Sequence, residues 1–368
     1  MELVTQKSPL VKSRNSHLLR HIIYLGGLCV LLITSLLLRV FTIEAPDGVY
    51  SNIGIFTIGN ILMVSIACTI TACAVQAIYN FSNKEKHNIV DYLSSISIGL
   101  TVALLMPLAS RVYPAVIATI VAVYLGKLIY GGTGHSVFNP AALGVGFASI
   151  SWLSEAVNKI ADYIGAEYPL TSITNLVNGS GKSIAVATTD LLVGTYSDVA
   201  IGISSALVLV VVLAIFIATK VADWKLSVTY VVSSALITAI ALAMNKWEIA
   251  GVGGTDFLIA NLCSGMLLFT ATFLLCDTGS TPSTREAKFI IATLVAVMTM
   301  AIRFIGTYTE ANMYILFCGE LFALLIGNML SPLINSIYTQ SNKKTLITSL
   351  AVCVVLVVVA GVGFGGAL

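Results

Sequence analysis

Eleven apolar runs, most of them long enough to cross about 30 Å of hydrocarbon, leave this chain only one solvent. They lie near 21–43, 52–80, 92–109, 112–131, 136–153, 197–219, 226–244, 256–276, 287–305, 312–336 and 345–365. Lipid offers no partner to a backbone N–H or C=O, so each run has to satisfy itself as a helix. Composition agrees: 57% of residues are hydrophobic, only 10% are charged, and the mean hydropathy is +0.96. The expected fold class is therefore an all-α, polytopic membrane protein of ten or eleven transmembrane helices. The spans opening near Ser94 and Ser136 are the weakest, and the second also reads as a half-helix that dips in from one side. The first run is too long for a signal peptide and is expected to remain as a signal anchor.

Charges in such a chain set orientation. A net charge of +2 with no run of five like charges excludes a nucleic-acid partner and leaves the lipid bilayer as the first one. With the N-terminus cytoplasmic, the inner segments hold thirteen of the 19 basic residues, among them Lys84, Lys86, Lys220, Lys225, Arg285, Lys288, Lys343 and Lys344. The outer segments hold five (Arg111, Lys159, Lys182, Lys246 and Arg303), and Arg39 sits near the outer end of the first span. This bias predicts a cytoplasmic N-terminus, with the 154–196 loop and the C-terminus extracytoplasmic. The chain then divides into an N-terminal segment (1–20), a first membrane repeat (21–153), the outer loop (154–196), a connecting helix (197–225) and a second repeat (226–368).

The repeat rests on internal matches. Arg111 and Arg303 are 192 residues apart, as are Pro140 and Pro332, and Gly126-Lys127-Leu128 matches Gly319-Glu320-Leu321 at an offset of 193. Spans one to five would correspond to spans seven to eleven. With six spans between copies, the two five-helix repeats are parallel and related by a pseudo-twofold axis along the membrane normal.

Two breaks in the apolar pattern and one loop hold the polar chemistry. In Gly131-Gly132-Thr133-Gly134-His135-Ser136-Val137-Phe138-Asn139-Pro140, glycines lead to Asn139 as a helix cap and Pro140 at the first helical position. The free N–H groups of that helix start suit a phosphate or an electron-rich ring. In Asp277-Thr278-Gly279-Ser280-Thr281-Pro282-Ser283-Thr284-Arg285-Glu286, Ser283 and Glu286 have the spacing of a capping box, and Asp277 is an ionisable group at a membrane end, a place for ion or cofactor contact. In the outer loop, Thr171-Ser172-Ile173-Thr174 carries three hydroxyls in four residues; read alone, these fit a solvated loop or a helix cap, and Thr174 is also the candidate for a covalent cofactor. Lys127 and Glu320 are the most deeply placed charges. Mutual pairing near the pseudo-axis would offset their burial; alternatively Lys127 snorkels to the inner surface and Glu320 faces water. Asp277, Lys127 and Glu320 are thus the ion-pathway candidates.

Other features are decoys. Seven cysteines lie in or beside apolar runs without C-x-x-C spacing, and the His17/His21 pair lacks companions, so no metal site is expected. Gly179-Ser180-Gly181-Lys182-Ser183 lacks the first glycine and the strand of a phosphate-binding loop, and Gly361-Val362-Gly363-Phe364-Gly365-Gly366 ends a span with no helix after it.

Taken together, the Gly-Gly-x-Gly…Phe138-Asn139-Pro140-Ala141 turn, the Asp277 to Pro282 turn after Ala271-Thr272, and Ile302-Arg303 followed by Gly306-x-Tyr308-x-Glu310 carry a family resemblance. With Asn328…Ser331-Pro332-Leu333-Ile334, the chain resembles the D-type subunits of Rnf ion-translocating electron transport complexes, relatives of the B-type subunits of sodium-pumping NADH:quinone oxidoreductases. The resemblance implies a translocase subunit with an FMN phosphoester on the last threonine of a motif like D-x-x-[ST]-G-A-T, installed by a flavin transferase. Thr171-Ser172-Ile173-Thr174 occupies that place, with Tyr168 where the acid is expected and Ile173 in place of alanine. It also implies riboflavin as a second cofactor, with Asn139, Asp277 and Thr281 as candidate contacts, and partner subunits of the C, G, A, E and B types. The complex would couple electron transfer between ferredoxin and NAD to movement of Na⁺ or H⁺. A small-solute channel or transporter and a cofactor-free scaffold are the competing classes.

Overall fold

The computed structural model describes residues 3–4, 12–42, 49–83, 88–107, 110–152, 192–193, 200–245, 248–249, 252–263, 265–277, 279–305, 313–338 and 343–367. It is helical apart from two short antiparallel pairs, Leu3–Val4 with Lys12–Ser13 and Glu248–Ile249 with Val252–Gly253. The helices are α1 (Arg14–Thr42), α2 (Val49–Ser82), α3 (Ile89–Leu105), α4 (Val112–Val123), α5 (Pro140–Ser151) and α6 (Ala206–Ala218). After them come α7 (Trp224–Met244), α8 (Gly254–Cys263), α9 (Leu267–Thr272), α10 (Arg285–Ile305), α11 (Met313–Ile337) and α12 (Lys343–Ala367).

Every apolar run of the sequence has its helix. Among the described residues six contain spans of membrane-crossing length, and α8 with the α9 segment, bent by 55°, makes a broken span or a re-entrant loop. Four are shorter: α3, α4 with its terminal turn, α5 and α6. The multi-pass membrane architecture follows. The run at 136–153 shortens to the twelve residues of α5, about 18 Å at 1.5 Å per residue, which is the half-helix alternative. Its start is local chemistry: Pro140 needs no N–H partner at the first position, and the Asn139 side chain accepts from Ala142 N at 3.1 Å.

One group of helices packs α1, α2, α4 and α5 around α3, and a second packs α7, α10, α11 and α12 together. The groups meet where α5 lies on α11 and α6 on α9. Small residues permit the closest approaches. A Cβ on Gly361 would come within 2.7 Å of Ile240 Cβ and one on Gly365 within 3.0 Å of Ala241 Cα, so these two glycines are packing sites of α12 on α7, inside a continuous helix.

The 192-residue register of the proposed repeat does not survive. Pro140 opens α5 after a loop, whereas Pro332 lies inside the continuous helix α11. Arg111 precedes α4, and Arg303 closes α10.

Candidate functional site

The two sequence breaks come together. Asp277, just beyond the 3₁₀ turn that continues α9, accepts from Gly279 N (3.1 Å) and Ser280 Oγ (3.1 Å) of its own turn and from Ser136 Oγ (3.3 Å) of the first break. Asn139 Nδ2 donates to Leu274 O at 2.8 Å. The Asn328 amide of α11 lies between Ser280 O and Asn139 N; with its oxygen and nitrogen exchanged so that both are satisfied, it donates to Ser280 O (3.3 Å) and accepts from Asn139 N (2.9 Å). One amide from the second group of helices thus binds both breaks. Left-handed backbone at Gly131, Gly132 and Gly134, each with φ near +100°, turns the first break toward this junction.

A cavity of about 100 Å³ opens beside it, walled by Arg20, Tyr24, Thr101, Lys127, Ser136, Asn139 and Asp277 among others. Arg20 ties two chain ends at the rim, donating to Val221 O (2.8 Å) and Cys276 O (3.1 Å). Burial pushes the Asp277 carboxyl above the usual carboxylate range, and the bonds from Gly279, Ser280 and Ser136 pull it back only in part.

Lys127 also lines the cavity. α4 ends in a π-turn, Tyr124–Leu128, a widened turn that is frequent at functional sites. There Lys127 Nζ donates to Asp91 O (2.8 Å), Ser95 Oγ (2.8 Å) and Gln76 Oε1 (3.0 Å). Its relative exposure is 2%. Ser95 Oγ in turn donates to Gln76 Oε1, and Gln76 Nε2 to Asn80 Oδ1, both at 2.8 Å.

Lys127 and Glu320 therefore do not pair. Glu320, fully buried on α11, accepts through Oε1 from Arg303 Nε (3.0 Å) and Nη2 (2.5 Å). Arg303 Nη1 donates to both the carbonyl and Oδ1 of Asn261, near the end of α8, where Gly265 bends the chain at φ +69°. Asn261 Nδ2 continues to Thr238 Oγ1 at 2.9 Å. The sequence alignment of Lys127 with Glu320 followed the false repeat register; Arg303, on the neighbouring helix, is the cation that reaches Glu320.

The remaining candidates separate. Thr281 donates its hydroxyl to Asp277 O (2.8 Å), closing the turn outside the cavity wall. Ser283 and Thr284 both donate to Asn335 Oδ1 of α11 (3.3 and 2.9 Å), so a side chain from another helix holds this turn. Thr171, Ser172 and Thr174 lie outside the described residues. Sequence reasoning passed over Gln76, Ser95, Asn261 and the site role of Asn328. Their signal was present, since polar side chains inside apolar runs face other helices.

A bundle of apolar helices interrupted twice, with both interruptions turned onto one polar cavity, defines a membrane protein built around a buried site. The chain belongs to the NQR2, RnfD, RnfE family, whose model matches residues 4–344. It is 24% identical over 323 residues to the D-type subunit of the ion-translocating oxidoreductase complex of Actinobacillus succinogenes, covering 77% of this chain and 86% of that one. It is 25% identical to the D-type subunit of the Na(+)-translocating ferredoxin:NAD(+) oxidoreductase complex of Acetobacterium woodii, over 76% of this chain and 81% of that one. Against the B-type subunit of the Na(+)-translocating NADH-quinone reductase of Chromohalobacter salexigens, identity is 26% over 66% of this chain and 57% of the relative.

Proposed function

We propose that this chain is the membrane subunit of an Rnf-type ion-translocating oxidoreductase in the cytoplasmic membrane. It carries FMN as a phosphoester on Thr174 and seats a second flavin, riboflavin, at the cavity between the breaks. The complex couples electron transfer between ferredoxin and NAD to Na⁺ or H⁺ movement, with C, G, A, E and B type subunits as partners and a flavin transferase for maturation. The N-terminus is cytoplasmic, which puts the cavity near the cytoplasmic side and Thr174 beyond the opposite surface.

The observation that carries this reading is the convergence of both breaks on one polar cavity, in a chain whose relatives are named as subunits of such complexes. A flavin supplies passage between one- and two-electron carriers. The edge of its ring alternates carbonyl acceptors with an N–H donor: Asp277 offers carboxylate lone pairs to the N–H, and the hydroxyls of Thr101 and Ser136, which otherwise donate to Ser97 O and Asp277, are the groups that would turn to a carbonyl. At about 100 Å³ it is smaller than pockets that take whole cofactors, so it holds a ring edge and not a nucleotide. Asn139 and Asn328 keep its two walls in register.

The complex should be produced in cells containing the transferase. The denatured polypeptide is expected to fluoresce on a gel under ultraviolet light, and the peptide containing Thr174 to gain the mass of FMN minus water. Thr174→Ala should be dark. A dark wild-type polypeptide of unmodified mass removes the covalent flavin and favours a passive channel or scaffold.

A further inference from the structure

Lys127 and Asp277 line the same cavity, and among the described residues neither makes a salt bridge. The Lys127 ammonium has three N–H donors and meets three neutral acceptors, Asp91 O, Ser95 Oγ and Gln76 Oε1. Three acceptors at hydrogen-bond distance can take all three N–H groups of an ammonium. The carboxylate of Asp277 meets two hydroxyls and a backbone N–H. Arg20, the nearest guanidinium to Asp277 on the rim, spends its bonds on two backbone carbonyls. Asp91 acts on Lys127 and Arg20 on Asp277 through their charges without forming a salt bridge with them, so each field is offset in part, and the remainder reaches the cavity through a medium of low dielectric.

With all three N–H groups committed to the protein, Lys127 has none left for a ligand. It acts through space. We propose that Lys127 is a built-in positive charge that raises the electron affinity of the ring in the cavity, while the Asp277 carboxylate lowers it. The inference rests on the reading that a non-covalent flavin occupies this cavity. The step it concerns is the addition of one electron to that ring by the reduced carrier preceding it in the complex. No bond is made or broken in that transfer, and Lys127 keeps its three protons. The extra negative charge is attracted by Lys127 and repelled by Asp277, so the balance between the two charges sets how readily the electron stays.

The experiment is a spectroelectrochemical titration of the whole complex, with acid-released flavin identified chromatographically in parallel. Lys127→Gln should disfavour reduction of the releasable flavin at least tenfold, a fall of about 59 mV for one electron. Asp277→Asn should shift the same flavin in the opposite direction, and Lys127→Arg, which keeps the charge, should leave it near the wild-type value. Opposite shifts from the two variants are not produced by general loosening of the fold. If the flavin stays bound and Lys127→Gln leaves its potential unchanged, or if both neutralising variants shift it in the same direction, the proposal is overturned. Loss of the flavin from Lys127→Gln with retention in Lys127→Arg supports the charge; loss from both overturns it in favour of shape. A wild-type complex with no releasable riboflavin sinks the underlying reading of the cavity instead, a result distinct from all of these.

Discussion

Lys127 and Arg303 are both cations buried inside the helix bundle, yet they are neutralised in different ways. Arg303 meets a carboxylate through two of its nitrogens and caps a carbonyl near the end of α8 with a third. Lys127 meets only neutral oxygens and stands in a cavity wall. A charge at a packed helix bend has to be cancelled where it lies, because nothing else will enter to cancel it. A charge beside a cavity can be left for an occupant. The contrast separates a structural cation from a functional one.

The largest effect should come from breaking the structural pair. Glu320→Ala leaves Arg303 buried with its charge uncompensated, which costs about 3–5 kcal/mol in comparable pairs. Little monodisperse protein is expected in detergent, and thermal unfolding of what remains should fall well below wild type. Arg303→Lys should not be tolerated, since one ammonium cannot serve both Glu320 and Asn261 from the same position. If Glu320→Ala unfolds like wild type, the distinction between the two cations fails.

Replacing Lys127 with Met sharpens the comparison from the other side. It removes a charge and leaves neutral acceptors, one of which, Gln76 Oε1, still receives Ser95 Oγ. The stability loss should be about 1–3 kcal/mol, smaller than for Glu320→Ala, with the complex still assembling. Electron transfer should suffer more than stability does. Equal losses of stability in the two variants would make Lys127 a structural cation like Arg303.

How much of this was legible beforehand depends on what kind of interaction made it. The helices were readable because lipid forces every apolar run to satisfy its own backbone, and α5 was readable because Asn139 and Pro140 are adjacent in sequence. Asp277 stood out as an ionisable group at a membrane end. What could not be read was which distant side chains meet. Gln76, Ser95 and Lys127 are brought together by the packing of α2, α3 and α4, and no local pattern encodes that their separations close to about 3 Å. The pairing of Arg303 with Glu320 was missed for a related reason: the repeat register tied Glu320 to Lys127, and α10 and α11 are neighbours irrespective of any repeat. The hold of Asn335 on Ser283 was equally invisible, because it comes from another helix.

Gly265→Ala tests the bend itself. The left-handed φ of +69° disfavours a side chain, and the new Cβ would lie 2.8 Å from Arg303 Nη2 and 3.2 Å from Glu320 Oε1. Backbone strain of this kind costs about 1–3 kcal/mol, and displacement of the guanidinium adds to it. A lower unfolding temperature is expected, with an unchanged spectrum of any flavin at the remote cavity. Perturbation of that spectrum with unchanged stability would show that the bend serves the cavity and not the ion pair.

The smallest effect belongs to an ion pair at the surface, where water replaces both partners. Asp223 caps α7 by accepting from Lys225 N at 3.3 Å, and its Oδ2 lies 2.5 Å from Lys288 Nζ, with side-chain exposures of 32% for Asp223 and 19% for Lys288. Partial burial alone would raise the Asp223 carboxyl, but the hydrogen bond and charge of Lys288, with the help of Lys225, outweigh it and hold the group below its ordinary range. Because the folded value lies below the unfolded one, the contribution is present above the ordinary carboxylate range and is lost as pH falls through the folded value. Asp223→Asn should therefore lower stability by no more than about 1 kcal/mol near neutrality, less in high salt. The gap between variant and wild type should close on acidification. A gap that persists at acid pH would assign the loss to the helix cap and not to the charge, and would place Asp223 with Asn139 among the residues that act by shape.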